Sequence, residues 1–195
     1  MDLRPSKDEY FLIKAWATAR RSTCVRRSVG CVLVNGLGHD IGNGYNGRPA
    51  GLPHCNDVNS TYMYERKSNE ELYPSACKDA FVPSGAKPAS CEAVHAEVNA
   101  WNQCYDRLWV VTAYITRSPC LPCTKMLMNT SCTRIVFATH SSDAAISREL
   151  WLRPNPHLTL HGKHREWLCI PIQNPFVSAL DKLSALPQLT KPGDV

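Results

Sequence analysis

The alternation of apolar and polar positions predicts helices and strands that follow one another along most of the chain. Apolar residues recur at helical spacing over 11–19, and Ser6 and Glu9 are placed as the capping box that begins such a helix. The valine-rich run at 29–34 predicts a buried strand, and the turn at 35–38 joins it to a second strand near 41–45. The chain therefore begins as a helix followed by a strand pair.

Regular patterns return after residue 91. They predict helices at 92–103, 120–129, 143–152 and 176–186, and strands at 109–115, 133–139, 158–160 and 168–172. Strands that alternate with helices predict one sheet covered by helices, which is an α/β fold. We expect a single domain over 1–186 and a flexible tail over 187–195.

The segment between these two patterned regions has no sustained period. Prolines and glycines interrupt residues 47–90, and a structureless loop of this length inside a compact domain indicates a function or a local organiser. We place an insert at about 52–91, which contains Cys55 and Cys77 and is closed by Cys91. A bound metal could organise such a segment without a hydrophobic core of its own.

Composition narrows the class of protein. The chain has 195 residues, ten cysteines and a formal charge of +5, a length that suits one domain with a buried core. It has no apolar run near the ~20 residues of a membrane helix and no apolar signal core at its start. We therefore expect a cytoplasmic protein (host cytoplasm if viral) without a membrane partner, whose cysteines bind metal or stay reduced. The small basic cluster that includes Arg26 and Arg27 is either an anion site or a solvated helix end.

Two short motifs carry the candidate chemistry. His95 and Glu97 belong to a His-Ala-Glu segment, and 25 positions after the histidine comes the Cys-x-x-Cys pair Cys120 and Cys123. Two thiolates on the first turn of a helix and one imidazole make three zinc ligands, which leaves a fourth position for water. Zinc lowers the pKa of such a water to roughly 7, and a neighbouring carboxylate can move its proton. We therefore assign His95, Cys120 and Cys123 as ligands of a catalytic zinc and Glu97 as the general acid–base.

A closed zinc site that only stabilises the fold is the alternative. It would need a fourth protein ligand, and it would leave Glu97 without a role. The pair of motifs is instead identified as the signature of zinc nucleobase deaminases, which remove ammonia from an amidine-like carbon such as C4 of cytosine.

Residues 7–140 closely resemble the deoxycytidylate (dCMP) deaminase family, including its bacteriophage and bacterial members. Besides the catalytic motifs, the resemblance rests on residues 21–24 (RSTC) with 28–34 (SVGCVLV), 44–51 (GYNGRPAG) and 94–100 (VHAEVNA). It implies a cytidine-deaminase-like three-layer α/β/α sandwich with a central mixed sheet, and a homo-oligomer, often a hexamer. It also implies hydrolysis of dCMP to dUMP and ammonia, which feeds dTMP synthesis.

The resemblance also implies a nucleotide pocket. The two glycines around Tyr45 and Asn46 let the backbone approach a ligand, and Asn46 offers a donor and an acceptor for the deoxyribose. A simple turn between strand and loop is the alternative for this segment. Further pocket residues implied by the resemblance are Tyr45, Gly47, Ala96 and Ser118. Arg26 or Arg27 is expected to hold the 5′-phosphate, because arginine binds phosphate oxygens in a bidentate way.

A second, structural zinc is also implied by the resemblance. Family members tie the loop after the first helix to the insert, and Cys24 and Cys55 match the motif positions. We expect Cys77 and Cys91 to complete a four-cysteine site, with His54 or Glu92 as substitutes. Ordinary buried thiols are the alternative for these four cysteines, as expected for Cys31, Cys104, Cys132 and Cys169.

Regulation is where the sequence departs from the family pattern. Family members respond to dCTP and dTTP, and a nucleoside triphosphate effector bound with Mg²⁺ is a further expectation. Gln103 and Asp106 stand where an aromatic residue and an arginine are expected in phage members, although Arg107 is near. An acid facing a triphosphate is repulsive, so we expect regulation to be altered or absent. The stretch from Ser141 onward also lacks the tyrosine-bearing loop of many members.

Three competing functions use the same residues. A deaminase of dCTP or of a 5-modified dCMP would have identical catalytic groups. A tRNA or single-stranded nucleic-acid deaminase fits the zinc signature and the positive charge, but it fits the pocket segment and the insert less well, so we do not expect a nucleic-acid partner. A non-enzymatic zinc-stabilised binding protein has only the charge in its favour.

Overall fold

The fold is described by a computed structural model over residues 4–57, 76–80, 91–154 and 164–172. Four helices lie in these ranges: α1 Lys7–Ala19, α2 Ala96–Gln103, α3 Leu121–Met128 and α4 Ala144–Leu152. Five strands accompany them: β1 Gly30–Val34, β2 Asp40–Tyr45, β3 Thr112–Arg117, β4 Arg134–Thr139 and β5 Glu166–Cys169.

The five strands form one mixed sheet in the order β2-β1-β3-β4-β5. β1 is antiparallel to both β2 and β3, whereas β3, β4 and β5 run parallel. The short turn after Val34 allows the antiparallel pair, and parallel neighbours need a crossover, which α3 and α4 provide. The carboxyl ends of the three parallel strands therefore lie at one edge of the sheet.

Side chains alternate between the two faces of β1, and this alternation divides the core into two layers. Cys31 and Leu33 pack on the face covered by α2, α3 and α4, with Ile135, Phe137 and Trp151. The opposite face packs against α1 through Val32, Val34, Phe11, Leu12 and Ala15. The predicted three-layer α/β/α sandwich with a mixed sheet is confirmed.

The capping box that we predicted for the first helix is also confirmed. The Ser6 hydroxyl oxygen accepts a hydrogen bond from the backbone of Glu9 at 3.2 Å, and the Glu9 carboxylate accepts one from the backbone of Ser6 at 2.7 Å. The helix ends at Ala19, two residues earlier than its expected end near residue 21.

The helix α2 and the strand β3 each begin several residues later than predicted. The helix expected from residue 92 begins at Ala96, because Val94 pairs with Gly47 and holds the chain extended through His95. The strand expected from residue 109 begins at Thr112, because the Asp106 carboxylate accepts from the backbone of Leu108 and supports a 3₁₀ turn at Arg107–Trp109.

The strand predicted at 168–172 is observed as β5 at Glu166–Cys169. The predicted strand at 158–160, helix at 176–186 and tail at 187–195 lie outside the described residues, as does most of the insert. Within the described ranges 51–57 and 76–80, the insert has turns and no helix or strand. No helix in the described part of the chain is long and apolar enough to cross a membrane.

Candidate metal centre and active site

Two helix N-termini position the candidate metal ligands. His95 is the N-cap of α2, Cys120 is the N-cap of α3, and Cys123 lies in the first turn of α3. Neither cap side chain accepts a capping hydrogen bond from the backbone of its own helix, so both remain available to another partner. Pro122 is compatible with this first turn because the leading N–H groups of a helix have no intrahelical acceptor.

The three ligand atoms converge. The Nδ1 atom of His95 lies 3.3 Å from Sγ of Cys120 and 3.4 Å from Sγ of Cys123. All three atoms lie within 4.8 Å of one another. Tetrahedral zinc with bonds of about 2.3 Å to sulfur and about 2.0 Å to nitrogen separates its sulfur and nitrogen ligands by about 3.5 Å. The residues therefore fit zinc, and the group found among the described residues has three members, which leaves one position for water.

The protonation pattern of these groups follows from their contacts. A hydrogen bond with Cys120 raises the pKa of His95 to about 9, against the opposing effect of its burial. The Cys123 thiol donates to Cys120, and this bond together with His95 lowers the pKa of Cys120 to about 4. Donation to Cys120 and burial both raise the pKa of Cys123. Without metal, the group is an imidazolium and a thiol around one thiolate.

Glu97 lies on the first turn of α2 and is only 4% exposed. Burial raises the pKa of its carboxyl, although its own backbone N–H and the charge of His95 oppose this shift. The neighbouring Cys123 side chain also opposes the shift. A buried carboxyl with a raised pKa beside the metal ligands suits general acid–base chemistry.

A cavity of about 250 Å³ opens onto His95, Cys120 and Glu97. Of the six residues predicted for substrate binding, four are among its described lining residues: Asn46, Ala96, Arg26 and Ser118. Tyr45 and Gly47 are not among them. The carbonyl of Tyr45 accepts from the Asn99 side chain at 2.7 Å, and the backbone of Gly47 pairs with Val94.

The side chain of Asn46 is largely committed to the protein itself. Its Oδ1 atom accepts from the Ser22 hydroxyl and from the backbone of Val29, both at 2.8 Å. Its Nδ2 atom donates to the carbonyl of Arg27 at 2.8 Å. One amide hydrogen remains for a ligand, so Asn46 can donate to a sugar hydroxyl.

The two glycines around Tyr45 are required by packing within the protein. A Cβ on Gly44 would lie 2.2 Å from the backbone N of Ala100 in α2, and one on Gly47 would lie 2.3 Å from the hydroxyl of Thr23. Glycine at these two positions allows α2 and the loop after α1 to lie directly against the end of β2.

The cavity has a second wall that was not predicted from the sequence. Arg117, Ser141, Ser142 and Asp143 also line it. The hydroxyl of Ser118 accepts from the backbone of Ser141 at 2.8 Å and donates to the Ser141 hydroxyl at 3.0 Å, which ties this loop to the end of β3. The predicted order of strands and helices could have indicated this wall. Ligands of α/β proteins bind outside the carboxyl ends of parallel strands, and these residues lie at or just after the ends of β3 and β4.

The insert cysteines lie close to one another. Cys55 and Cys77 are buried, and hydrogen bonds from Cys55 and Cys91 lower the pKa of Cys77 to about 2. Cys24 lies close enough to both Cys55 and Cys91 to interact with them electrostatically. Glu92, considered as a substitute ligand, instead binds the buried guanidinium of Arg48. All ten cysteines of the chain are free thiols.

Comparison with known proteins identifies relatives. Residues 5–139 match the family model of the cytidine and deoxycytidylate deaminase zinc-binding region. The chain is 38% identical over 140 residues to the deoxycytidylate deaminase of Mycobacterium phage D29, covering 71% of this chain and 98% of that protein. It is 31% identical over 146 residues to the deoxycytidylate deaminase of Saccharomyces cerevisiae, covering 70% of this chain but only 38% of that longer protein.

Solved structures show the same fold. The dCMP deaminase of cyanophage S-TIM5 in apo form superposes with a TM-score of 0.51 at 16% identity, over 85% of this chain and 99% of that one. Its complex with dCMP and dUMP gives a TM-score of 0.52 at 19% identity, over 76% of this chain and 94% of that one.

Proposed function

The chain belongs to the cytidine and deoxycytidylate deaminase family, and we propose that it hydrolyses dCMP to dUMP and ammonia. The observation that carries this proposal is the convergence of His95, Cys120 and Cys123 beside the buried carboxyl of Glu97 at one cavity. The relative from Mycobacterium phage D29, whose length this chain covers almost entirely, is a deoxycytidylate deaminase. The product dUMP would supply dTMP synthesis.

His95, Cys120 and Cys123 would hold the zinc, which supplies, when bound, a water activated for attack on C4 of the cytosine. Glu97 would take a proton from that water and deliver it to N3 of the ring. It would then carry a second proton, from the hydroxyl now on C4, to the amine as the C4–N bond breaks, and its raised pKa suits both transfers. Burial of Glu97 keeps bulk water away from this transfer.

Other cavity residues orient the nucleotide. The backbone N–H of Ala96, at the start of α2, has no intrahelical acceptor and can donate to the base carbonyl. The remaining amide hydrogen of Asn46 donates to the deoxyribose, and Ser118 lies on the opposite wall, tied to Ser141. Tyr45 and Gly47 act indirectly, by holding the end of β2 against the segments that line the cavity. Arg26 contributes positive charge for the 5′-phosphate.

A panel of substrates tests this function. Zinc-loaded protein is offered dCMP, dCTP, deoxycytidine, 5-methyl-dCMP and a short single-stranded DNA, and loss of cytosine absorbance is followed. We expect turnover of dCMP, and none by a Glu97→Gln variant that still contains zinc. Preferred turnover of dCTP or 5-methyl-dCMP would favour the related nucleotide functions, and turnover of the oligonucleotide alone would contradict the proposal.

The second zinc is proposed at Cys24, Cys55, Cys77 and Cys91. Two observations support this set of four thiols. Cys77 is hydrogen-bonded to Cys55 and Cys91, and Cys24 interacts electrostatically with Cys55 and Cys91. Elemental analysis should find two zinc ions per chain in the native protein and one in a Cys77→Ser variant. A content of one zinc in the native protein would exclude the site.

The oligomeric state and the regulation of this protein are also proposed. We expect a homo-oligomer, a hexamer by resemblance, and the exposed side chains of Tyr105, Leu108 and Trp109 offer apolar surface for a contact between subunits. The Asp106 carboxylate would repel a triphosphate, so we expect the effector response to dCTP or dTTP with Mg²⁺ to be altered or absent. Sedimentation, and dCMP turnover with and without each triphosphate, test these expectations. The free thiols fit a cytoplasmic location.

A further inference from the structure

His95 is the metal ligand that does not come from the N-terminus of α3. The Nδ1 atom of its ring contacts Cys120 and Cys123, and no hydrogen bond of the other ring nitrogen is found among the residues that the structure describes. A hydrogen bond from that second nitrogen usually orients a metal-binding histidine. The placement of this ring therefore depends on the backbone that carries it.

The backbone around His95 runs beside the end of β2. The Val94 N–H donates to the carbonyl of Gly47 at 2.8 Å, and the Gly47 N–H donates to the carbonyl of Val94 at 3.2 Å. One turn into α2, the Asn99 side chain donates to the carbonyl of Tyr45 at 2.7 Å. The chain is therefore held on both sides of His95 by the segment 45–47.

Arg48, the next residue along, adds a link further from the helix. Its guanidinium binds the carboxylate of Glu92, three residues before His95, and donates to the carbonyl of Pro53 at 2.9 Å. The side chain of Arg48 is fully buried, whereas that of Glu92 is 30% exposed. A buried planar guanidinium holds its acceptors in fixed directions, and breaking either bond leaves a buried group uncompensated. Glu92 is therefore fixed relative to the end of β2.

The direction in which the chain enters His95 is set before α2 begins. His95 is extended, with φ −72° and ψ 153°, and its carbonyl accepts the helical hydrogen bond of the Asn99 N–H at 3.0 Å. Residues before that bond are outside the helix, so the contacts of 92–94 decide their path. Three extended residues span about 10 Å, which is short enough for a shift at Glu92 to reach the ring.

A purely structural role is the alternative for a buried ion pair, and many such pairs can be replaced by apolar residues without loss of stability. The placement of this pair differs. Gly47 and Arg48 are consecutive, and their partners Val94 and Glu92 lie on the one segment that leads into His95. These four residues form a clamp, and the segment that they hold ends at a metal ligand.

We propose that Arg48 is a positioning residue for the metal centre. Through Glu92 and the adjoining Gly47–Val94 bridge it fixes the segment 92–95, and so places the imidazole of His95 where Cys120 can share a metal with it. Arg48 contacts neither the metal nor the substrate in this role. The effect on turnover rests on the proposed function, whereas the effect on metal binding does not.

Metal binding is measured on the full chain before any substrate is added. Every protein in this experiment carries Cys77→Ser, which removes the proposed second zinc, so that competition with a chelator reports zinc affinity at His95. Absorbance of the Co²⁺-loaded protein reports the geometry around the metal. The variants are Arg48→Met, Arg48→Lys, Glu92→Met and the double variant that combines Arg48→Met with Glu92→Met. Values of kcat and KM for dCMP are measured without the Cys77→Ser change.

The matched control is Asp8→Asn. Asp8 joins α1 to Arg134 at the start of β4, with the two charged groups 3.1 Å apart, and both residues lie outside the clamp. This change removes a partly buried ion pair from another part of the fold. Denaturant unfolding of each variant gives the stability against which its zinc affinity is compared.

We expect Arg48→Met to weaken zinc binding about 10-fold, at the lower end of the range for outer partners of metal ligands, and to change the Co²⁺ absorbance. Arg48→Lys should lose less, because its charge still reaches Glu92 without the planar fork. At saturating zinc, kcat for Arg48→Met should fall by a similar factor with little change in KM. Asp8→Asn should lose stability and keep native zinc affinity.

The double variant separates positioning from stability. An apolar pair should restore much of the unfolding free energy lost in the single variants, but apolar contact is not directional, so zinc affinity should stay low. This variant and Arg48→Lys also decide the matter if Arg48→Met does not fold.

Three outcomes would overturn the proposal. These are native zinc affinity in the Arg48 variants, an equal loss of zinc affinity in Asp8→Asn, or recovery of zinc affinity together with stability in the double variant. Failure of the proposed function would appear differently, as absence of dCMP turnover in the native protein. The zinc and Co²⁺ measurements would then still decide the role of Arg48.

Discussion

The imidazole of His95 and the thiol sulfur of Cys120 lie 3.3 Å apart, and this contact joins the N-termini of α2 and α3. Each group shifts the other toward its charged form, so His95 is protonated near neutral pH and Cys120 is a thiolate. The metal-free site is therefore preorganised by an ion pair.

Zinc binding should release about two protons at pH 7. Metal ligands must be deprotonated. Zinc displaces one proton from His95, whose pKa is about 9, and one from Cys123, whose pKa is raised. Cys120, with a pKa of about 4, is already ionised and releases none. Calorimetric titration of a Cys77→Ser apoprotein in buffers of different ionisation enthalpy measures this number. Zinc affinity should fall as the pH is lowered, and release of fewer than one proton would contradict the assignment.

Arg48 joins the start of the insert to the segment before α2. Its fully buried side chain binds Glu92 and donates to the carbonyl of Pro53 at 2.9 Å. Replacement Arg48→Met leaves both acceptors without their donor, so we expect a loss of about 2–4 kcal/mol in unfolding free energy. Denaturant unfolding measures this loss. The matched control is Arg153→Met, at an exposed arginine, which should change the unfolding free energy by about 0–1 kcal/mol. Equal effects of the two variants would exclude a role for the buried pair of Arg48 and Glu92.

The carboxylate of Asp8 anchors α1 to the sheet. It accepts from both terminal nitrogens of Arg134 at 3.1 Å and from the Tyr114 hydroxyl at 2.8 Å. Burial alone would raise the pKa of Asp8, but these hydrogen bonds lower it below its ordinary value of 3.8. Its stabilising effect is therefore complete above the unfolded pKa and is lost as the pH falls through the lower folded pKa.

For Asp8→Asn we expect a loss of about 1–3 kcal/mol at pH 7. The difference from the native protein should begin to shrink below about pH 4, where the carboxylate of the unfolded chain takes up a proton, and it should vanish only below the lower pKa of the folded protein. Chemical denaturation across pH 3–8 measures both effects. Glu149→Gln, which removes an exposed charge, is the control and should show no such pH dependence; a difference that is constant with pH would show that the Asp8 charge does not contribute.

Gly44 sets the distance between β2 and α2. A methyl group there would overlap the backbone N of Ala100 and the carbonyl of Ala96, at 2.2 and 2.5 Å. Because α2 carries Glu97 and has His95 as its N-cap, we expect Gly44→Ala to reduce unfolding free energy by about 1–3 kcal/mol and to weaken zinc binding.

The control for Gly44→Ala is Gly36→Ala, where the nearest atom to an added methyl is a Val111 methyl at 3.7 Å, an ordinary contact. It should leave unfolding and zinc affinity nearly unchanged. Thermal unfolding and competition with a chromogenic chelator provide the two readouts. Native zinc affinity in the Gly44 variant would show that α2 does not depend on this close approach.

Local sequence signals predicted the elements because their causes are local. The capping box at Ser6, the apolar period of α1 and the valine run of β1 each act within a few residues, and each element was found where it was expected. The start of α2 was misplaced because the cause is distant: Val94 is held extended by Gly47, on the far side of the insert.

The sequence by itself determined the reactive groups of this protein, because Cys120 and Cys123 occupy one helical turn and the His95–Glu97 segment is contiguous. Only the tertiary structure decided how the rest of the cavity is built. Sheet order brings Arg117 at the end of β3 beside Arg27 before β1, and it commits the Asn46 amide to the segment 22–29. These pairings depend on the closure of long loops around an assembled core, and no spacing along the chain encodes which side chains will meet there.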